Sequence, residues 1–239
     1  MDELRRFCVR MLGDGPAAAA AVAQVGSTGS TGAGDRVDVL SRAVTACRER
    51  RAPAAAASAE TGPAPAAAAS AETGPAPEVD GPGAPTGAAP EVDGPEAPTG
   101  AAAEPAPEEL AGAVARELAA ATARLPGSQS EALALRELIG LPYDELAGVM
   151  SVDPEALPVM LARARIGLRA ELRGNPGPAP DCPEHERALR TIALRQDGQA
   201  VSAADDDWLI EHLGHCRGCG RAHSSMLEAS ACYRAWSDE

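Results

Sequence analysis

Aromatic side chains are nearly absent: 239 residues include two Trp, two Tyr and one Phe. That scarcity excludes one large core, because much of the 45 % apolar content is alanine, which buries little area. Valine and isoleucine are scarce too, whereas alanine and arginine favour helix, so the expected fold class is all-α, built of small helical bundles. Lysine is missing, and all 21 basic residues are arginine. No stretch is long and apolar enough to span a bilayer. The alanine run Ala17–Ala21 is too short and too weakly apolar for the core of a signal peptide. The expectation is therefore a cytoplasmic protein with no membrane partner, whose six cysteines serve as thiols or metal ligands rather than disulfides. Paired carboxylates, a nucleophile with its base and a phosphate loop are all lacking, so no enzyme is expected.

Net charge is −14, which argues against a general nucleic-acid coat. The charge is uneven. Residues 1–51 hold more arginines than acids, and 52–107 hold acids and no base. That middle segment is also repetitive: PAAAASAETGPA occurs twice, from Pro53 and from Pro65, and PEVDGPGAPTGAA from Pro77 recurs from Pro90 with Gly83 replaced by Glu96. Units so rich in Pro and Gly, with almost nothing to bury, cannot stack as a solenoid. They predict a disordered acidic tether over 52–107.

Helices are expected at Asp2–Leu12 and Val37–Arg51, separated by a flexible Gly26–Gly34 loop. Beyond the tether, Leu110, Val114, Leu118 and Ala121 recur at helical spacing in Glu108–Arg124. A second helix follows the break at Leu125-Pro126-Gly127, with Ser128 and Glu131 in capping-box positions. A third opens at Pro142 and runs through Met150. In a fourth, Leu157, Leu161, Ala164, Leu168 and Leu172 fall on one face. This last helix starts late, at Pro158, or starts at Pro154 with a bent first turn, because Pro158 lacks an N–H. Gly174–Pro180 reads as a second, shorter linker.

Helix, tight turn and arginine-bearing amphipathic helix form the general shape of a DNA reader. Here the shape is carried by Leu125-Pro126, Gln129, Glu131-Ala132-Leu133, the run Glu137-Leu138-Ile139-Gly140-Leu141-Pro142-Tyr143-Asp144-Glu145-Leu146-Ala147, and Leu161-Ala162-Arg163-Ala164-Arg165. These residues resemble region 4 of extracytoplasmic-function sigma factors, the segment that in that family binds the −35 promoter element and touches the RNA polymerase flap. The resemblance implies RNA polymerase core and promoter DNA as partners. The stretch Asp153–Met160, where the family aims small, polar and basic residues at the groove, offers no donor to base edges and two acids. Arg163, Arg165, Arg169 and Arg173 are the candidate DNA contacts, the last three as an i, i+4, i+8 row for phosphates. More faintly, Phe7–Asp14 and Val39–Arg51 resemble the opening and closing helices of region 2. Between them the family has an aromatic, acidic helix that helps melt the promoter. Here lie Ala17–Ala23 and the Gly/Ser/Thr loop, so unaided promoter melting is not expected.

Near the C-terminus, His212-Leu213-Gly214-His215-Cys216-Arg217-Gly218-Cys219 contains H-x3-C-x2-C. His212 and Cys216 are one helical turn apart, Cys216 and Cys219 can chelate from a single turn, and Cys182 would complete a tetrahedral Cys3His shell. Thiolates with imidazole favour zinc over magnesium or calcium. His215 could stand in for His212 and His185 for Cys182, though both fit the spacing less well, and His223 reads as a surface residue. A helix from about Glu184 to Arg195, an Asp197-Gly198 turn and a helix from about Ala203 to Leu213 would return Cys182 to the CxxC. This arrangement over residues 181–236 resembles the zinc-containing anti-sigma domain.

Four parts are thus expected: region 2-like helices at 1–51, the tether at 52–107, a region 4-like helix-turn-helix at 108–174 and a zinc-binding domain at 175–239. The function implied is control of transcription initiation, with the zinc helices packing on the sigma-like helices in cis or on another chain. Competing readings are an anti-sigma interaction protein that acts on another sigma factor without specific DNA binding, and a thiol redox sensor.

Overall fold

The computed structural model describes residues 2–13, 15–27, 35–59, 107–175 and 181–237. All regular structure among them is helical: α1 (Asp2–Leu12), α2 (Pro16–Gly26), α3 (Asp35–Ala59), α4 (Pro107–Arg124), α5 (Gly127–Leu133), α6 (Tyr143–Met150), α7 (Leu157–Arg173), α8 (His185–Gln196), α9 (Ala203–His215) and α10 (Arg217–Ser237). A π-helical turn, Ala134–Leu138, continues α5. Among the described residues no helix is long and apolar enough to cross a membrane.

The N-terminal helices do not stand apart. Phe7, Cys8 and Met11 of α1, Ala18 and Ala21 of α2, and Leu40, Val44 and Cys47 of α3 form one apolar cluster that runs on through Leu135, Leu141, Leu146, Met150, Leu157 and Leu161. The flanks of the expected tether therefore share a core. Small alanines let α1, α2 and α3 approach closely, which is how so few large side chains close a core. An ion pair and a hydrogen bond reinforce the join: Arg48 of α3 meets the buried Glu131 of α5 at 2.6 Å, and Arg51 donates to Ser130 Oγ at 2.9 Å.

Several local expectations need correction. Helix α2 forms where only an alanine run and a loop were read, with Pro16 at its first turn. Helix α3 runs to Ala59, eight residues into the expected tether, because alanine is the best helix former. Residues 60–106, the remainder of that tether, and 28–34, most of the Gly/Ser/Thr loop, lie outside the described residues. Ser128 caps nothing: Pro126 occupies the N-cap of α5, and Glu131 is drawn inward by Arg48 rather than back to the helix start. Val114 is exposed, so the buried face of α4 is Leu118, Ala121 and Thr122, with Leu125 buried just past its end. Helix α7 takes the late start, at Leu157 with Pro158 in its first turn; Asp153–Ala156 is a turn in which Asp153 Oδ1 accepts the Glu155 N–H.

The C-terminal helices pack on α7. Ala162 and Ile166 of α7 join Leu189, Ile192, Leu209 and Met226 in one cluster, and Ala164 and Leu168 join Ala229 and Tyr233 of α10 in another. Residues 181–237 thus borrow much of their core from the segment before them. Close approach of Leu125, a member of the second cluster, explains Gly167: a Cβ there would lie 3.0 Å from Leu125 Cδ2.

Candidate metal centre and the arginine row

Three elements converge on one point. Cys182 lies in the turn that leads into α8, where its carbonyl accepts the His185 N–H. His212 sits in the last turn of α9, a helix started by Ser202, whose hydroxyl accepts the Asp205 N–H at 3.1 Å. Cys216 falls at the extended break between α9 and α10, and Cys219 in the first turn of α10. The turn at Asp197-Gly198, with Gly198 at φ +68°, reverses the chain so that α9 returns along α8. As a result the ligand atoms of Cys182, His212, Cys216 and Cys219 all lie within 4.8 Å of one another, a group that could hold a metal ion.

The surroundings orient these groups. The His212 ring stacks on Trp208 one turn earlier, at 4.9 Å between centroids, and the Arg187 guanidinium covers Trp208. Cys182 Sγ is 3.6 Å from His212 Nε2. The Cys219 backbone N–H, at the start of α10, lowers the pKa of the Cys216 thiol, whereas burial and the neighbouring sulfurs push Cys219 up to about 12. A cation among these sulfurs would favour their thiolate forms. His185 Nδ1 lies 3.4 Å from Cys219 Sγ, at the edge of the group. His215 instead reaches the Glu211 carbonyl at 2.9 Å, within its own helix. Cys8 and Cys47 are buried together in the N-terminal core, far from this group in the fold.

The arginine row lies under the same C-terminal helices. Arg163 is within 3.8 Å of Glu186 on α8. Arg165 is fully buried; its guanidinium is held between Glu137 at 2.6 Å and Asp197 at 2.7 Å. Arg169 and Arg173 both pair with Glu228 of α10, Arg173 at 2.7 Å. Every one of the four candidate DNA contacts thus faces a carboxylate from residues 181–237. Arg190 of α8 also donates to the Glu155 carbonyl at 2.9 Å, which covers the turn before α7.

Asp197 is the centre of this arrangement. It accepts from Arg165 through both carboxylate oxygens and from the Tyr143 hydroxyl at 2.6 Å, and Arg136 lies at 3.4 Å. Although burial alone would raise its pKa, these donors hold the carboxyl below the usual Asp value. Burial, and the Asp197 charge beside it, raise the Tyr143 hydroxyl. Glu137 accepts from Ser230 of α10 at 2.8 Å, and Gln196 of α8 donates to the same Ser230 hydroxyl at 2.8 Å. The π-helical turn presents Arg136 and Glu137 together to this network. From the sequence, Asp197 reads only as a turn residue and Arg165 as a phosphate contact. A signal was present: Arg165 is four residues after Leu161 and three before Leu168, which places it on the apolar face of α7.

No family model, curated protein or solved structure matches the chain.

Proposed function

We propose that this chain is a sigma-factor-like regulator of transcription initiation whose C-terminal zinc-binding hairpin masks its own helix-turn-helix. Helices α6 and α7 are the pair that would meet promoter DNA, and RNA polymerase core is the expected partner. The observation that carries the reading is the pairing of Arg163, Arg165, Arg169 and Arg173 with Glu186, Asp197 and Glu228. A phosphate backbone would compete for these same guanidiniums. The docked hairpin is therefore an electrostatic stand-in for DNA, and binding requires its displacement. With the base-reading turn devoid of donors, DNA contact would rest on phosphates and show little sequence preference.

Zinc is the ion that best suits the group. Tetrahedral geometry with Zn–S near 2.3 Å and Zn–N near 2.0–2.1 Å places sulfur and nitrogen roughly 3.6 Å apart, and Cys182 Sγ and His212 Nε2 are 3.6 Å apart. Three thiolates and one imidazole close the shell, which describes a structural site rather than a catalytic one. Bound there, zinc would cross-link the start of α8 to the α9–α10 junction. His185, beside Cys219, would orient that sulfur from outside the shell.

The test is binding to RNA polymerase core and to promoter-length DNA by the intact chain and by a Glu228→Gln, Asp197→Asn variant. Deleting residues 175–239 would be a poorer test, since it strips the apolar cover from Ala164 and Leu168. The proposal expects the double variant to bind DNA more tightly than the parent, with steeper salt dependence, and to retain polymerase. Absence of binding to either partner by both proteins would overturn it.

A further inference from the structure

A cavity of about 510 Å³ lies between the end of α1, the middle of α4 and the end of α10, with Arg51 of α3 and Ser130 of α5 at its sides. Its walls are mainly apolar, Met11, Ala119 and Trp236 among them, yet among the described residues three arginines line it and no acid does. Such a charge balance is unusual in a chain of net charge −14. Elsewhere the arginines of α7 and α8 pair with carboxylates. Arg10, Arg51 and Arg116 have no carboxylate partner among the described residues. Arg51 spends its Nη1 on Ser130, and Arg116 is exposed on α4. Arg10 is the most constrained. Its Nη2 donates to the Trp236 carbonyl at 3.3 Å, its guanidinium stacks 3.1 Å from the Trp236 ring centroid, and its Nη1 is buried with no hydrogen-bond partner.

A partly buried guanidinium with no counter-charge among the described residues is costly, and its unpaired buried Nη1 adds to that cost. Both are relieved by an anion in the cavity. A bare anion would leave the apolar walls wet, whereas the volume lies in the range of small-molecule sites, which are mainly apolar with a few convergent polar groups. We propose that this cavity binds a small amphipathic carboxylate, its charged head between Arg10, Arg51 and Arg116 and its apolar body against Met11, Ala119 and Trp236. Because α1, α4 and α10 all contribute walls, the ligand would favour the docked position of α10.

The experiment is calorimetric titration of the intact chain with 2-naphthoate and with decanoate, alongside the neutral 2-naphthamide. Saturable one-to-one binding of at least one carboxylate, with the amide at least tenfold weaker, is the expected result. Arg10→Gln and Arg116→Gln should each weaken it by about tenfold, the loss of one charge-assisted contact, and Arg221→Gln, on the exposed surface of α10, should not. Arg10 also anchors Trp236, so its variant could unfold locally. Arg116 sits on an exposed helix face where Gln preserves helix propensity, and its variant therefore reports on binding alone. No binding of either carboxylate at about 10 mM, equal binding of the amide, or unchanged affinity in the Arg116 variant would overturn the proposal.

Discussion

Asp197→Ala is the perturbation that bears most on the docked hairpin. The change removes two hydrogen bonds to Arg165, at 2.7 and 3.1 Å, the 2.6 Å acceptor of the Tyr143 hydroxyl and the neighbour of Arg136. Arg165 is wholly buried and Asp197 nearly so, with side-chain exposures of 0 and 7 %. Breaking a buried pair by removing one partner costs about 3–5 kcal/mol. Glu137 remains on Arg165, which places the expected loss at the low end, about 3 kcal/mol. At about 1.4 kcal/mol per tenfold, the docked state loses roughly a hundredfold in population relative to undocked or unfolded chains. The loss should be local before it is global, because Asp197 joins α8 to α6 and α7 and meets the cluster around Phe7 through the Tyr143 hydroxyl. Urea unfolding followed by circular dichroism gives the total. Hydrogen exchange resolves where it falls, with faster exchange expected in α8 and α9 and unchanged rates in α1 and α3. Arg165→Met in the same background should recover part of the stability, since a buried ion pair can be replaced by apolar packing at little cost. An Asp197→Ala chain within about 0.5 kcal/mol of the parent, the range of an ordinary surface change, would refute the reasoning.

Other expectations follow from the same geometry. The Asp197 carboxyl is held below its ordinary value in the fold, so its stabilisation is complete above the unfolded value and is lost as pH falls through the folded one. Acid titration of stability should therefore show the parent converging on Asp197→Asn below about pH 4. Glu228→Gln should free Arg169 and Arg173 and raise the salt slope of DNA binding by about two phosphate contacts, read by fluorescence anisotropy across ionic strength; an unchanged slope would show that these arginines do not meet DNA. Phe7→Ala should cost about 3–5 kcal/mol in urea unfolding, as a large side chain removed from a closed core. His185→Ala should weaken zinc binding about 10–100-fold in competition with a chelating dye, the scale of a lost outer partner, whereas His223→Ala should leave it unchanged.

The metal group was legible because ligand chemistry is carried by residue type and local spacing. Cys216 and Cys219 share one turn and His212 precedes them by another, so the only long-range element was Cys182, and the Asp197-Gly198 turn declared its return path. Helix positions after residue 107 were legible for similar reasons, from Pro142, the Leu157–Leu168 face and the Asp197-Gly198 turn. What was hidden depends on docking. The cover over the arginine row is made by Glu186 and Glu228, which in sequence are ordinary solvated acids, and only the packing of α8 and α10 on α7 brings them there. Glu131 fitted a capping box locally, but Arg48, far away in the chain, claims it. Helix α2 has no polar periodicity to announce it, because six of its eleven residues are alanine and only Gln24 is polar. That Arg10 meets no carboxylate among the described residues could not be read at all, since an unpaired charge is a property of three-dimensional surroundings.

The most direct measurement is the zinc content of the intact native chain by mass spectrometry, taken with circular dichroism before and after chelation. Zinc is expected at one ion per chain, lost in Cys216→Ser and Cys219→Ser because a hydroxyl is a poor ligand, and sharply weakened in Cys182→Ser and His212→Ala. Affinity should fall with pH as protons compete for the thiolates. Chelation should reduce helicity, with hydrogen exchange assigning the loss to α9 and the start of α10, since α8 retains Leu189 and Ile192 packed on α7. A chain that carries no zinc, or keeps full helicity and slow exchange in α9 after zinc is removed, would contradict the account.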